Sequence, residues 1–365
     1  MRKISKQAKK QIINITVLVV LIAVTFVVLI TSNRELNFEN IGNFLKSCNP
    51  WWITAAVAAM FFSVFFEALS VHFILRGLGE RPKMRSSLVY ATADVYYSAI
   101  TPSASGGQPA SAFYMVKDGI GAGKASFALV FNLIAYTFAI IIIGGVAIIL
   151  RPEMYGLIDN WFARLLIILG FVLQSLLLAF FVACMFCGRA VLKCGDWIIT
   201  LLAKIRLVKK PEKWREKLKS EVEKYKNCLH AVKEHPGMSF ANFFFNLGQR
   251  LSHVLIASFV CLAAAPQANF IDLFVLESLV LVGYNSIPLP GGVGAFEFLY
   301  HQIYAIFFVD AFILSAMMVS RVLSYYLRML LSGIYTLIYH GQMMRRPMKQ
   351  NTGGEKNEER PEENG

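Results

Sequence analysis

SAITPSASGGQPASAFYMV (residues 98–116) and NSIPLPGGVGAFEFLYHQI (residues 285–303) are the two stretches on which the fold turns. Each joins an apolar arm to a Pro/Gly break with a Gly-Gly pair, then continues into a second arm rich in Ala and aromatic residues. They sit inside the apolar regions 86–117 and 271–309, which are interrupted in the middle. A re-entrant hairpin and a pair of full spans both return the chain to its starting side, so charge counting does not separate them. The short arm before each break favours the hairpin. With the first hairpin entering from the cytoplasmic side and the second from outside, the pattern is an inverted repeat whose interrupted helices meet near the bilayer midplane.

Around these regions lie six uninterrupted apolar stretches, 12–30, 51–75, 125–149, 162–187, 240–264 and 311–340. A spanning helix needs roughly 20 residues at about 1.5 Å each. The expected fold class is therefore all-α and polytopic, with about six full spans and two re-entrant hairpins, or about ten spans if the broken regions cross completely. Only 16% of residues are charged, against about 25% in soluble domains. The net charge of +13 falls in short segments between apolar runs, which argues against a nucleic-acid partner. Basic residues crowd the N-terminal tail, 76–85, 188–239 and 341–349. The positive-inside rule puts all four, and both termini, on the cytoplasmic side, with the spans expected in an inner membrane.

Residues 1–345 thus form the expected transmembrane domain, and the acidic tail 346–365 is expected to be disordered. Arg2, Lys3, Lys6, Lys9 and Lys10 precede an apolar run too long for a cleaved signal, so 12–30 reads as a signal anchor. In 188–239, Trp214, Leu218, Val222, Tyr225, Leu229 and Val232 recur at three- and four-residue steps among lysines and glutamates. That is an amphipathic cytoplasmic helix, expected to lie on the anionic membrane surface or to pack as a hairpin. Cys184, Cys187 and Cys194 read as apolar filler; no metal site and no cofactor is expected.

Ionisable side chains in apolar spans cost about 2.5–3.5 kcal/mol each near a helix centre. Glu67, Asp94, Arg250, His253, Glu277, Glu297, His301, Arg321 and Arg328 all lie in such regions. So many suggest a polar cavity. His253 follows Arg250 by one turn, and Arg321 and Arg328 are seven apart on one face. Three guanidinium groups suit a phosphate or carboxylate, and internal pairing with Glu67, Glu277 or Glu297 is the alternative. Pro109 suits the first turn of a returning helix, and a second helix starts near Gly294. Two helix N-termini would then face the midplane as anion sites, with Thr101, Ser105, Gly106, Gly107 and Gln108 at the first break and Gly291, Gly292 and Gly294 at the second. Glu297 and His301 stack on one face. They read, with Glu67, His253 and Glu277, as counter-charges or a proton relay, and Glu297 also as a first-turn cap. The sequence has no H-E-x-x-H, Walker A or G-x-S-x-G motif.

TPSASGGQPASAFYMVKDG and PLPGGVGAFEFLY, on this many-span background, resemble the flippase-like membrane domain of lysylphosphatidylglycerol synthases. The more specific match is P-G-G-x-G-x-x-E, here Pro290, Gly291, Gly292, Gly294 and Glu297, followed by Thr101, Pro102 and Gly106. The resemblance covers most of residues 10–340 and implies lipid handling. Full-length members attach lysine from lysyl-tRNA to phosphatidylglycerol through a large soluble C-terminal domain, then move the product outward. Here about 25 residues follow the last span, so the expectation is a non-enzyme. The expected partner is a phospholipid with an anionic headgroup, phosphatidylglycerol or its aminoacylated form, moved by a flippase. Carriage of a small anion or polyprenyl-linked sugar is the alternative, as is a non-catalytic role beside a lipid-modifying enzyme. A homodimer or a lipid-synthase partner is left open.

Overall fold

The structure is a computed structural model that describes residues 38–101, 104–186, 196–197, 199–200, 211–285, 287 and 290–344. The expected signal anchor 12–30, Cys187, Cys194, most of 188–210 and the tail 346–365 lie outside the described residues. Among the described residues all regular structure is helical. Five helices are long and apolar enough to cross a membrane: α2 (Pro50–Gly77), α5 (Ala122–Leu150), α7 (Trp161–Phe186), α9 (Pro236–Ala264) and a last span from Asp310 to Met343. They coincide with the five apolar stretches read from the sequence after residue 50. Before α2 lies the short amphipathic α1 (Phe38–Ser47), and after α5 the single turn α6 (Pro152–Gly156).

Both broken regions are hairpins. The first is α3 (Met84–Ile100, 17 residues) and α4 (Gly107–Lys117, 11 residues). The second is α10 (Phe270–Asn285, 16 residues) and α11 (Ala295–Tyr304, 10 residues). At about 1.5 Å per residue, every arm falls short of the roughly 30 Å hydrocarbon thickness. Within each hairpin the arms pack on one another. Each span also starts for a local reason. Asn49 caps α2 by accepting the Trp51 N–H at 3.0 Å, with Pro50 next in the chain, and Pro236 opens α9.

The packing is crosswise. The first hairpin enters from the end of the bundle that carries Arg81, Lys83 and Arg85, the second from the opposite end. Its first arm, α3, packs on the C-terminal half of the last span, α13 (Arg328–Met344). The first arm of the second hairpin, α10, packs on α5 of the first half. The corresponding spans α2 and α9 form the most extensive contact in the molecule. Each half thus closes over the other's hairpin, the inverted arrangement expected from the two breaks.

Two features pin this packing. At Gly170 an added Cβ would overlap the Val282 carbonyl, so α7 and α10 touch backbone to backbone. Beneath the centre, Ser70, Asn132, Asn242 and Asn246 join α2, α5 and α9 through bonds of 2.6–2.9 Å. Helices have no hydrophobic drive to associate inside lipid, and small residues and polar bonds take that part. The last span is not a regular helix. Between α12 (Asp310–Arg321) and α13 a six-residue π-helical segment, Val322–Leu327, widens the turn. The amphipathic helix of the insert, α8 (Pro211–Glu234), buries Cys228 and packs Leu229 and Val232 on the bundle beside Tyr339 and Met343.

Candidate functional site

The two breaks meet at one cavity of about 500 Å³. Ser98, Ala104 and Gln108 reach it from the first hairpin, and Tyr284, Asn285, Gly291 and Gly292 from the second. Arg250 and His253 enter from α9, Glu67 from α2, and Arg321 and Arg328 from the last span. Sequence positions 67 to 328 therefore converge on one space.

The guanidinium groups are buried and only partly partnered. Arg250 donates to the Tyr136 hydroxyl at 3.2 Å and stacks on that ring 4.2 Å from its centre, while its Nε–H has no partner. Arg321 pairs through Nε with Glu297 Oε1 at 3.0 Å and lies over the Phe296 and Tyr325 rings, leaving Nη2 without a partner. Arg328 approaches Glu67 Oε2 with Nη2 at 3.5 Å, and its Nε–H is unpartnered. An unsatisfied buried donor costs about 1–3 kcal/mol, more when charged. Three such donors belong to residues around one cavity. His253 bonds Tyr284 through Nε2 at 3.1 Å, with Nδ1 unpartnered, and lies within electrostatic reach of all three arginines.

The hairpin tips explain their glycines. Gly291 and Gly292 have φ of 60° and 64°, and a Cβ on either would overlap the ring of Tyr325 or of Tyr284. At the first tip, Thr101 accepts the Gly106 N–H at 2.8 Å and donates to the Tyr97 carbonyl at 2.6 Å, stapling the break closed. Gly107 lies so close to the Asp94 carboxylate that a Cβ has no room. Gln108 donates to the other Asp94 oxygen at 3.1 Å. At the second tip, Glu297 Oε2 accepts the Gly294 N–H at 2.6 Å, the half of a capping box that a glycine N-cap allows. Both returning helices therefore start against a carboxylate of the protein itself. Arg250, Arg321 and Arg328, which line the cavity, each carry a buried guanidinium N–H without a partner.

Several residues singled out in the sequence stand elsewhere. Thr101, Ser105, Gly106, Gly294 and Glu297 shape the tips without lining the cavity. Glu277 lies behind it and accepts from Tyr304 at 3.2 Å. His301 faces Asp310 at 3.3 Å, across the turn from α11 to α12, so it does not continue a relay from Glu297. Asp94, an ionisable candidate to which the sequence assigned no role, lines the cavity, as do Gln249, Tyr136, Tyr284 and Gln174, which the sequence did not single out. Asn132 and Tyr136, four apart in the apolar α5, were a readable signal of a polar face.

An inverted pair of hairpins around a charged cavity, among five helices long and apolar enough to cross a membrane, defines a polytopic all-α membrane protein. Residues 12–332 match the model of the lysylphosphatidylglycerol synthase TM region, and the chain belongs to that family. No curated protein matches the chain in a sequence comparison.

Proposed function

We propose that the cavity binds the phosphate of an anionic lipid headgroup, phosphatidylglycerol or its aminoacylated form, and carries it between leaflets. The reading rests on one observation: Arg250, Arg321 and Arg328 line the same cavity, and each keeps an unpartnered N–H. Arginine forks match phosphate oxygens in geometry as well as charge. The volume lies within the ~300–1,000 Å³ range of small-ligand sites, so a headgroup fits while acyl chains stay in lipid. Rocking of one half against the other would expose the site to each side in turn. The step is translocation alone, with no bond made or broken. The lysine-rich sequence of α8 supports contact with an anionic leaflet.

The test is proteoliposome flipping of fluorescent phosphatidylglycerol by the purified protein and by Arg250→Ala and Arg328→Gln. Each variant is expected to lose more than tenfold in rate. Wild-type rates in both would sink the cavity reading. Uptake of inorganic phosphate without lipid movement would replace the flippase with a small-anion carrier.

A further inference from the structure

The three arginines do not account for two other cavity residues. Glu67 on α2 and Asp94 on α3 line the cavity together, each within electrostatic reach of the other and of Arg328. Two carboxylates have no donor between them, so a hydrogen bond that joins them needs one shared proton. The surroundings hold that arrangement. Glu67 Oε2 accepts from Gln249 Nε2 at 2.8 Å and faces Arg328. Asp94 accepts from Ser98 at 3.3 Å on one oxygen and from Gln108 at 3.1 Å on the other. Charged or titratable groups in electrostatic range of the pair or of Arg328 include Arg250 and His253 on α9, Tyr136 on α5 and Tyr284 on α10. His253 stands beside Arg250.

The charge balance of the cavity then depends on that proton. Glu297 neutralises Arg321. With His253 neutral, Arg250 and Arg328 face a carboxyl pair that carries one negative charge when it holds a proton and two when it does not. In the first state one positive charge is left over, the complement of a phosphodiester. In the second none is left, and Arg328 is drawn to Glu67. Proton and anion therefore favour each other's binding, and by linkage the effect is reciprocal.

We infer that Glu67 and Asp94 form a proton-binding site coupled to the anion site, so that one proton enters the cavity with each phosphate monoanion. The inference rests on the cavity being an anion site. The proton comes from water on the side where the anion enters, sits between the two carboxyl groups, and leaves to water with the anion. No other atom is exchanged.

The experiment uses the full chain in weakly buffered detergent with a pH-indicator dye, titrated with dihexanoylphosphatidylglycerol and, separately, inorganic phosphate. Proton uptake is recorded alongside binding, at several pH values. The expected result is uptake of about one proton per bound anion, with affinity falling about tenfold per pH unit where the pair ionises. Glu67→Gln and Asp94→Asn each fix the pair's proton count; whatever affinity they keep should be flat with pH and free of proton uptake. Two variants guard against one misfolding, with size-exclusion profiles as the check. Anion binding without proton uptake in the natural chain, or undiminished uptake in both variants, overturns the coupling and leaves the anion site standing. Binding of neither probe overturns the anion site itself. Binding of phosphate alone moves the coupling to a soluble anion.

Discussion

The two hairpins are related by the same plan and differ in what their tips do. Both reach the centre, turn on a Gly-Gly pair and start a short returning helix against a carboxylate. At the second tip that carboxylate, Glu297, is spent internally, bonded to the Gly294 N–H and paired with Arg321. At the first tip the carboxylate, Asp94, lines the cavity within electrostatic reach of Glu67. The flanks differ in the same sense. The second hairpin is held by apolar contact and by a stack of rings running Tyr300, Tyr304, Phe308 and Phe312, with Tyr300 and Tyr304 at 3.8 Å. The first is tied to the last span by hydroxyls: Tyr90 and Tyr339 both donate to Asp118, at 2.8 and 2.7 Å, and Thr336 donates to Thr92 at 3.0 Å. One tip has become a fixed joint and the other has kept its charge available to the cavity.

That contrast is open to four tests, taken from the largest effect down. Glu297→Ala strips the partner from a guanidinium that is 3% exposed, and should cost about 3–5 kcal/mol of stability, read as thermal unfolding in detergent. Stability within 1 kcal/mol of the natural chain, by the order of effect just given, would show that the second tip is not a fixed joint. Gly291→Ala sets a Cβ against Tyr325 at a positive φ, and should cost about 1–3 kcal/mol. The same assay on Gly106→Ala, where φ is −84° and only the Thr101 side chain is in the way, should show a smaller loss. Asp94→Asn keeps an acceptor for Gln108 and should cost no more than about 1 kcal/mol, yet reduce flipping more than tenfold. A variant with normal stability and normal flipping would make the first tip as structural as the second. Tyr339→Phe removes a hydroxyl bond from the first flank and should cost about 0.6 kcal/mol, the average for such bonds in membranes.

Much of this was legible in the chain, and the limits have a physical cause. The spans were readable because lipid demands long apolar runs, and the breaks because Pro and Gly interrupt them. Helix starts at Gly107 and Ala295 followed from Pro109 and the Gly294–Glu297 spacing. Arg250, Arg321 and Arg328 stood out because a charge in an apolar run is costly. What the sequence hid was pairing. Glu67 meets Gln249, 182 positions away, and Arg328, and no local pattern marks such a meeting. The expectation that helix N-termini would face the cavity as anion donors took no account, at the first tip, of the Asp94 carboxylate on the preceding arm. Asp94 stood out only as one ionisable residue among nine, because its significance lies in Glu67, which is contributed by another helix.

The π-helical segment gives the last span a property that neither half has alone. It separates two helices spliced out of phase, with Arg321 at the end of one and Arg328 at the start of the other. A π turn takes up more residues than an α turn. The upper piece is registered to the second hairpin through Glu297, and the lower piece to α2 and the first hairpin through Glu67, Thr92 and Asp118. The surplus lets one continuous chain keep two independent bearings. Like the slack in a splice, it allows either helix to turn by a fraction of a residue without dragging the other off its mark.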